Sequence, residues 1–246
     1  MFLSTHGIVS SSSEVVIPYS NTKSIELDGV SDYITMGNVL AFNKDNAFTF
    51  SLWINMQQSE TSSILSKSES SNNFAGYLLY TTSSGGGNKL LFRIRTNASN
   101  FILFTSTSVF NLNEWYHVSI TYDGLGANTG INMYVNGVNQ AGARTGTSSS
   151  AFTNNQPFNL GARNLNSLFF NGLIDEVAVF NSELSSSDVT SIYNSGNPPD
   201  LSSHSNLVSW WRMGDNDTYP TISDNIGSND GTMNGMTSAS IVSDTP

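Results

Sequence analysis

The groups in this 246-residue sequence that can carry protons or hold metals are nineteen Asp and Glu residues and three His; there is no Cys. Thiolate chemistry and disulfides are therefore excluded. Cleaving a glycosidic bond with retention needs two carboxyl groups roughly 5 Å apart, facing one cleft. The nearest acidic pair is Asp175-Glu176, in "GLIDEVAVF". Adjacent residues of a regular strand project to opposite faces, so this pair is expected not to flank one bond. Asp175 is then expected to share its face with Val177 and Val179, where an ionised side chain needs a partner. Asp28 and Asp32 lie across a turn, which suits ligation or turn capping better than acid–base work. His6, His117 and His204 accompany neither a G-x-S-x-G nucleophile nor an H-E-x-x-H metal spacing. His117 falls on one face with Trp115 and Ser119 and reads as a structural polar contact. "GLGANTG" has the wrong spacing for a dinucleotide loop. An enzyme is not expected.

Only 11% of residues are charged and the formal net charge is −10, against about 25% charged residues in an average protein. Phosphate backbones and anionic membranes should be repelled, because binding them needs clustered Lys and Arg. No apolar run approaches the roughly 18 residues of a membrane helix. The N-terminal stretch lacks a basic segment followed by a long apolar one, so it is not read as a signal peptide. No nucleic-acid or membrane partner is expected.

The elements that must position any site are short strands of period 2. In "AFTFSLWINM", Phe48, Phe50, Leu52, Ile54 and Met56 alternate with Thr49, Ser51, Trp53 and Asn55. In "LLFRIR", Leu91, Arg93 and Arg95 alternate with Phe92 and Ile94. Tyr116, Val118, Ile120 and Tyr122 share a face, and Asn136-Gly137 suits a two-residue hairpin turn with positive φ. "GLIDEVAVF", apolar on both faces, predicts a central, doubly covered strand. One short helix is predicted near residues 185–195, with Ser185 as N-cap, Asp188 completing a capping box, Val189, Ile192 and Tyr193 as its apolar stripe, and Gly196 closing it. No helices alternate with the strands, so a parallel sheet is not expected.

In order along the chain, "SIELDGVSDYITMG", "FTFSLWINM", "LNEWYHVSITYDG", "MYVNGV", "FNLGA" and "FNGLIDEVAVFNSELSSSDVTSIYNSG" resemble a laminin-G-like domain of the concanavalin A-like lectin/glucanase superfamily. The resemblance spans about residues 22–197. It implies an all-β fold, an antiparallel jelly-roll sandwich of two sheets. The tail, "LVSWWRMGDN", resembles the segment that ordinarily opens such a domain. The expected organisation is an N-terminal arm (1–20), the jelly roll (21–200) and a C-terminal segment (201–246) that completes the sandwich as a permuted opening strand. The alternatives are a strand completing a neighbouring chain's sheet and the start of a second, truncated copy of the domain.

Further expectations follow from the resemblance. It implies one structural Ca2+, held by Asp28 and Asp175 with Asp32 assisting, since hard oxygen ligands suit that ion. It implies a glycan surface that pairs a planar aromatic with loop Asn and Arg residues, for which Tyr77, Phe101, Arg163, Asn164 and Asn166 are candidates. The Ser/Asn-rich style and the "WWRMGD" tail look like virion surface proteins of tailed bacteriophages. That implies a non-catalytic decoration or tail-associated module on a virion, with weak adhesion to cell-surface glycans. The alternative is a secreted or cell-surface, extracellular carbohydrate-binding lectin module; a glycoside hydrolase is the minor alternative. Trp210 and Trp211 point to opposite faces of their strand, so at most one is expected to enter a given core. The other is expected to cover a second layer, a loop or a neighbour, and is the candidate contact with another virion or surface protein, or with a second copy of the chain.

Overall fold

The computed structural model describes residues 19–69, 74–84, 86–148 and 150–246. Residues 1–18 of the expected arm lie outside the described residues.

The first strands in chain order are β1 (Ser24–Asp28), β2 (Tyr33–Thr35), β3 (Phe48–Met56), β4 (Ser63–Ser68), β5 (Gly76–Thr82), β6 (Lys89–Asn97) and β7 (Asn100–Ser106). Then come β8 (Trp115–Tyr122), β9 (Ile131–Val135), β10 (Val138–Asn139), β11 (Gly142–Thr147), β12 (Asn159–Leu160) and β13 (Asn171–Phe180). Helix α1 (Ser186–Tyr193) is followed by β14 (Leu207–Trp211), β15 (Thr221–Ile222), β16 (Gly231–Asn234) and β17 (Ile241–Val242). They form two antiparallel sheets. One, of eight strands, runs β10-β9-β8-β3-β13-β1-β17, with β14 also paired to β13. The other, of nine strands, runs β11-β7-β6-β5-β4-β12-β2-β16-β15. This is the jelly-roll sandwich.

Period-2 alternation builds the main core between the sheets. Phe48, Phe50, Leu52 and Ile54 of β3 meet Leu79, Phe92, Ile94, Ile102 and Phe104 of the facing sheet, all buried. Burying a side chain of this size contributes roughly 1.5–3 kcal/mol. Asn136 and Gly137 both take positive φ (50° and 74°), as the β9–β10 turn requires.

β13 is central and covered on both faces. Ile174, Val177 and Val179 enter the main core. Ala178 and Phe180 enter a second cluster on the outside of the eight-stranded sheet, with Leu184, Val189, Ile192, Leu201 and Trp210. Helix α1 roofs this cluster. Its Ser185–Asp188 capping box is present, but the residue in the left-handed conformation that ends it is Asn194 rather than Gly196.

The tail packs on its own chain. Trp210 and Trp211 of β14 stand opposite Ala178 and Val177 of β13, while β1 occupies the other end of the same β13 edge, from Ile174 to Asn171. β17 pairs with β1, and β16 with β2. Trp211 points inward and stacks on Phe158 at 5.8 Å, its indole N–H donating to Asn229 O at 2.8 Å. Trp210 points outward into the second cluster.

Of the places expected for the second tryptophan, the packing gives Trp210 the second layer; the candidate assembly contact at Trp210 and Trp211 is corrected. Trp210 is 3% exposed and Trp211 0%. The second hydrophobic layer under α1 absorbs the residue that a two-sheet core could not.

Candidate functional site

A register shift in β13 changes the chemistry of the acidic pair. Between Asp175 and Ala178, two residues of β13 stand against one of β3, and Glu176 takes a φ of 48°. Such a bulge interrupts the alternation. Asp175 and Glu176 therefore lie on the same, outer side, between the inward Ile174 and Val177. This corrects two expectations: that the pair is split across the sheet, and that Asp175 shares a face with Val177 and Val179.

Both carboxylates are sealed. Glu176 accepts from the Tyr19 hydroxyl and the Trp210 indole N–H, each at 2.6 Å, and lies 3.6 Å from the Arg212 guanidinium. Asp175 accepts from the Asn21 side chain at 2.7 Å and from the Glu176 backbone N–H at 2.8 Å. Burial raises both pKa values. Glu176 reaches about 7 against the pull of its donors, and Asp175 is raised further by the neighbouring Glu176 charge. The adjoining cavity is lined by Tyr19, Arg212 and Asp215 but by neither of the pair. A substrate has no route to two carboxyls in one cleft here, as hydrolysis would need.

His117 is also sealed. Its Nε2 lies 2.8 Å from the Ser51 hydroxyl, and its ring sits against Trp53 and Tyr193. Burial lowers its pKa to about 3, so the ring stays neutral. It is a core contact.

The residues expected to hold calcium separate into two places. Asp28 Oδ1 accepts from the backbone N–H groups of Val30, Ser31 and Asp32 at 2.8–3.1 Å, and Asp32 Oδ2 accepts from Asp28 N–H. Asp175 lies elsewhere. Ile25 pairs with Ile174, so Asp175 falls beside Ser24, four residues along β1 from Asp28, about 13 Å away at the strand rise. Of these residues, Asp28 and Asp32 come together. Asp32 is buried, and its Oδ1 has no hydrogen-bond partner. It lines an open cavity of about 390 Å³ with Asp28, Gln57 and Asn171. Burial and the Asp28 charge raise its pKa. Hard oxygen donors of this kind suit Ca2+. Among the described residues, no group of three or more His, Asp and Glu could hold a metal.

The residues expected to touch glycan divide by face. Tyr77 is a correction. It points inward, is 1% exposed, and donates its hydroxyl to Leu40 O at 2.8 Å. Its strand position places it in the aromatic core with Phe48 and Phe50. Phe101 lies on the opposite, outer face of the nine-stranded sheet, opposite Arg95. There it lines an open groove of about 220 Å³ with Tyr80, Arg93, Arg95, Ala98 and Leu103. Arg163, Asn164 and Asn166 share a tight loop after β12, closed by Arg163 N–H donating to Ser167 O at 2.8 Å. Phe74 joins loop to sheet, its ring centroid 5.2 Å from the Arg163 guanidinium and 5.1 Å from that of Arg95. Arg93 lies over Tyr80 at 5.9 Å. Sequence reasoning missed Phe74, Tyr80, Arg93 and Arg95 as site residues. The available signal was two arginines at period 2 on a strand of a charge-poor chain.

The Laminin_G_3 family profile, described as concanavalin A-like lectin/glucanases superfamily, matches residues 28–190. The chain belongs to this superfamily. No curated protein matches it. Among solved structures, this lectin/glucanase-superfamily chain is similar to a candidate carbohydrate-binding protein from Bacteroides ovatus, with TM-score 0.65 and 22% identity. That alignment covers 89% of this chain and 60% of the other, so the chain spans less than two thirds of that protein. It is also similar to the heptameric SAP-like pentraxin of Limulus polyphemus (TM-score 0.54, 17% identity, 73% of this chain and 86% of that one). A third is domain 4 of AbnA, a GH43 extracellular arabinanase of Geobacillus stearothermophilus, in complex with arabinotriose (TM-score 0.50, 22% identity, 69% and 76%). At these identities the likeness is one of fold.

Proposed function

We propose that this protein is a non-catalytic carbohydrate-binding module whose saccharide lies in the groove on the outer face of the nine-stranded sheet. The observation that carries this reading is the open groove itself. Half-buried Phe101 and Tyr80 line it with guanidinium donors beside them, and a few placed polar groups on an apolar wall are what a small-ligand site needs. The sealed state of Asp175 and Glu176 supports binding without hydrolysis. The neighbours described as carbohydrate binding, or bound to arabinotriose, are consistent with this reading.

Extracellular or cell-surface carbohydrate binding is better supported than placement on a virion. The virion reading rests on sequence style and the tail motif, whereas neighbours described as carbohydrate binding favour the lectin reading. We further propose that one Ca2+ binds at Asp28 and Asp32, where it would neutralise the buried Asp32 Oδ1 and stiffen the β1–β2 turn.

The test is a glycan array followed by calorimetry with the wild type and Phe101→Ala. Binding at micromolar to millimolar sugar that is lost in Phe101→Ala is expected. The absence of binding to any glycan at millimolar concentration overturns the proposal.

A further inference from the structure

The two sheets differ sharply in charge. Among the described residues, no Asp or Glu lies on a strand of the nine-stranded sheet, whereas five of the chain's nine cationic side chains do: Lys67, Lys89, Arg93, Arg95 and Arg144. The chain as a whole carries −10. On the outer face of that sheet, Arg93, Arg95 and the loop residue Arg163 converge, and each of the three guanidiniums lies over an aromatic ring.

None of the three forms an ion pair among the described residues; the ion pairs there involve Lys44 and Arg212. Two of their nitrogens, Arg93 Nη2 and Arg163 Nε, are buried without a hydrogen-bond partner. The electrostatic neighbours of Arg93 are Tyr80 and the other two arginines. Like charges gathered without a counter-charge repel one another, and an unsatisfied buried donor costs free energy. An anion placed beside the exposed edges of these guanidiniums would relieve the repulsion.

We infer that the groove lined by Arg93 and Arg95, with Arg163 beside it, selects an acidic saccharide, its carboxylate or sulfate held by the arginines while its ring lies on Phe101. The inference rests on the carbohydrate-binding reading and narrows its ligand class. The planar guanidinium fork matches a carboxylate or sulfate through paired N–H donors. A nucleic acid is disfavoured, because the basic face is one groove wide and the body of the protein repels a long polyphosphate.

Arg163→Gln is the informative variant. It removes a charge from a loop, and the Arg163 Nε makes no hydrogen bond whose loss would unfold the chain. The full chain and this variant are titrated calorimetrically with trigalacturonate, sialyllactose and a chondroitin sulfate tetrasaccharide, and with the neutral galactotriose and lactose. We expect at least one acidic probe to bind more tightly than its neutral counterpart. Arg163→Gln should weaken that binding by about tenfold at unchanged melting temperature, since a hydrogen bond to a charged group contributes about that factor. Raising salt to about 0.5 M should weaken it too. Which probe binds separates carboxylate from sulfate. Neutral sugars that bind as tightly as acidic ones, or an Arg163→Gln affinity equal to wild type, would overturn the acidic selectivity and leave the carbohydrate reading standing. Failure of every saccharide, acidic or neutral, would overturn both.

Discussion

Trp210 donates its indole N–H to Glu176 Oε2 at 2.6 Å. The bond ties the C-terminal β14 to the bulge of β13 beneath helix α1. It provides one of the partners that a buried carboxylate requires, and the Tyr19 hydroxyl provides another.

Removing the ring should be costly. Trp210→Ala is expected to lower unfolding free energy by about 3–5 kcal/mol, the usual cost of a large aromatic cavity. Trp210→Phe keeps most of the apolar area and removes only the donor, costing about 1–3 kcal/mol. Urea unfolding followed by tryptophan fluorescence measures both. Equal losses for the two variants would show that the hydrogen bond, rather than the packing, dominates.

The tail should be indispensable to folding. Deleting residues 201–246 removes Trp211, Met213, Ile222, Met233 and Met236 from the main core and Trp210 from the outer cluster. Such a truncation is expected to be aggregated or unfolded by circular dichroism, whereas the full chain folds with its tail in cis. A well-folded truncated monomer would contradict the packing of β14 on β13.

His117 should shape stability on the acid side. Its pKa is depressed to about 3 in the fold, against about 6.5 in an unfolded chain. The unfolded state therefore binds the proton first, and the contribution is present above pH 6.5 and is lost as pH falls from there toward 3. Glu176 acts in the opposite sense. Its pKa is raised from 4.5 to about 7, so its contribution is present below about 4.5 and is lost as pH rises through 7. Comparing melting curves of wild type, His117→Gln and Glu176→Gln from pH 4 to 8 separates the two. Wild type should lose relatively more stability than His117→Gln between pH 6.5 and 4.

Two aromatics considered for the glycan surface should behave oppositely. Tyr77→Ala empties a site in the main core and should cost about 3–5 kcal/mol of stability. Phe101→Ala should leave the melting temperature nearly unchanged and weaken saccharide binding by roughly tenfold or more, as loss of an aromatic anchor does. Thermal melting and calorimetry on the same two preparations check this contrast.

If calcium occupies the Asp28–Asp32 turn, the protein should melt at higher temperature in Ca2+ than in EGTA, because a ligand that binds only the folded state stabilises it. Asp32→Asn should abolish the difference. Identical melting in both buffers for the wild type would remove the metal from the reading.

Much of the sandwich was legible because period 2 in the sequence is period 2 in space. The inward set of β3, the Asn136-Gly137 turn, the Ser185 capping box and the two-faced β13 could all be read from residue order. Arg93 and Arg95 could be placed on one face in the same way, although their role could not. The acidic pair could not be read correctly. A single bulge residue, Glu176 at positive φ, carries no residue-type signal and reverses which face a side chain takes. Tyr77 failed for a related reason: a tyrosine beside a polar loop looks like surface until the register of its strand is known.

The sequence by itself determined an all-β, charge-poor chain of short alternating strands, because alternation and turn chemistry are local properties. Only the tertiary structure decided which strands lie side by side. Phe74, Arg95 and Arg163 come from three distant segments, and they meet because the strand order β6-β5-β4-β12 brings the loop after β12 over the face of β6. Likewise Trp210 meets Glu176 because β14 pairs with the bulged end of β13. Long-range pairing is set by the summed burial of the whole core, which no stretch of residues encodes alone.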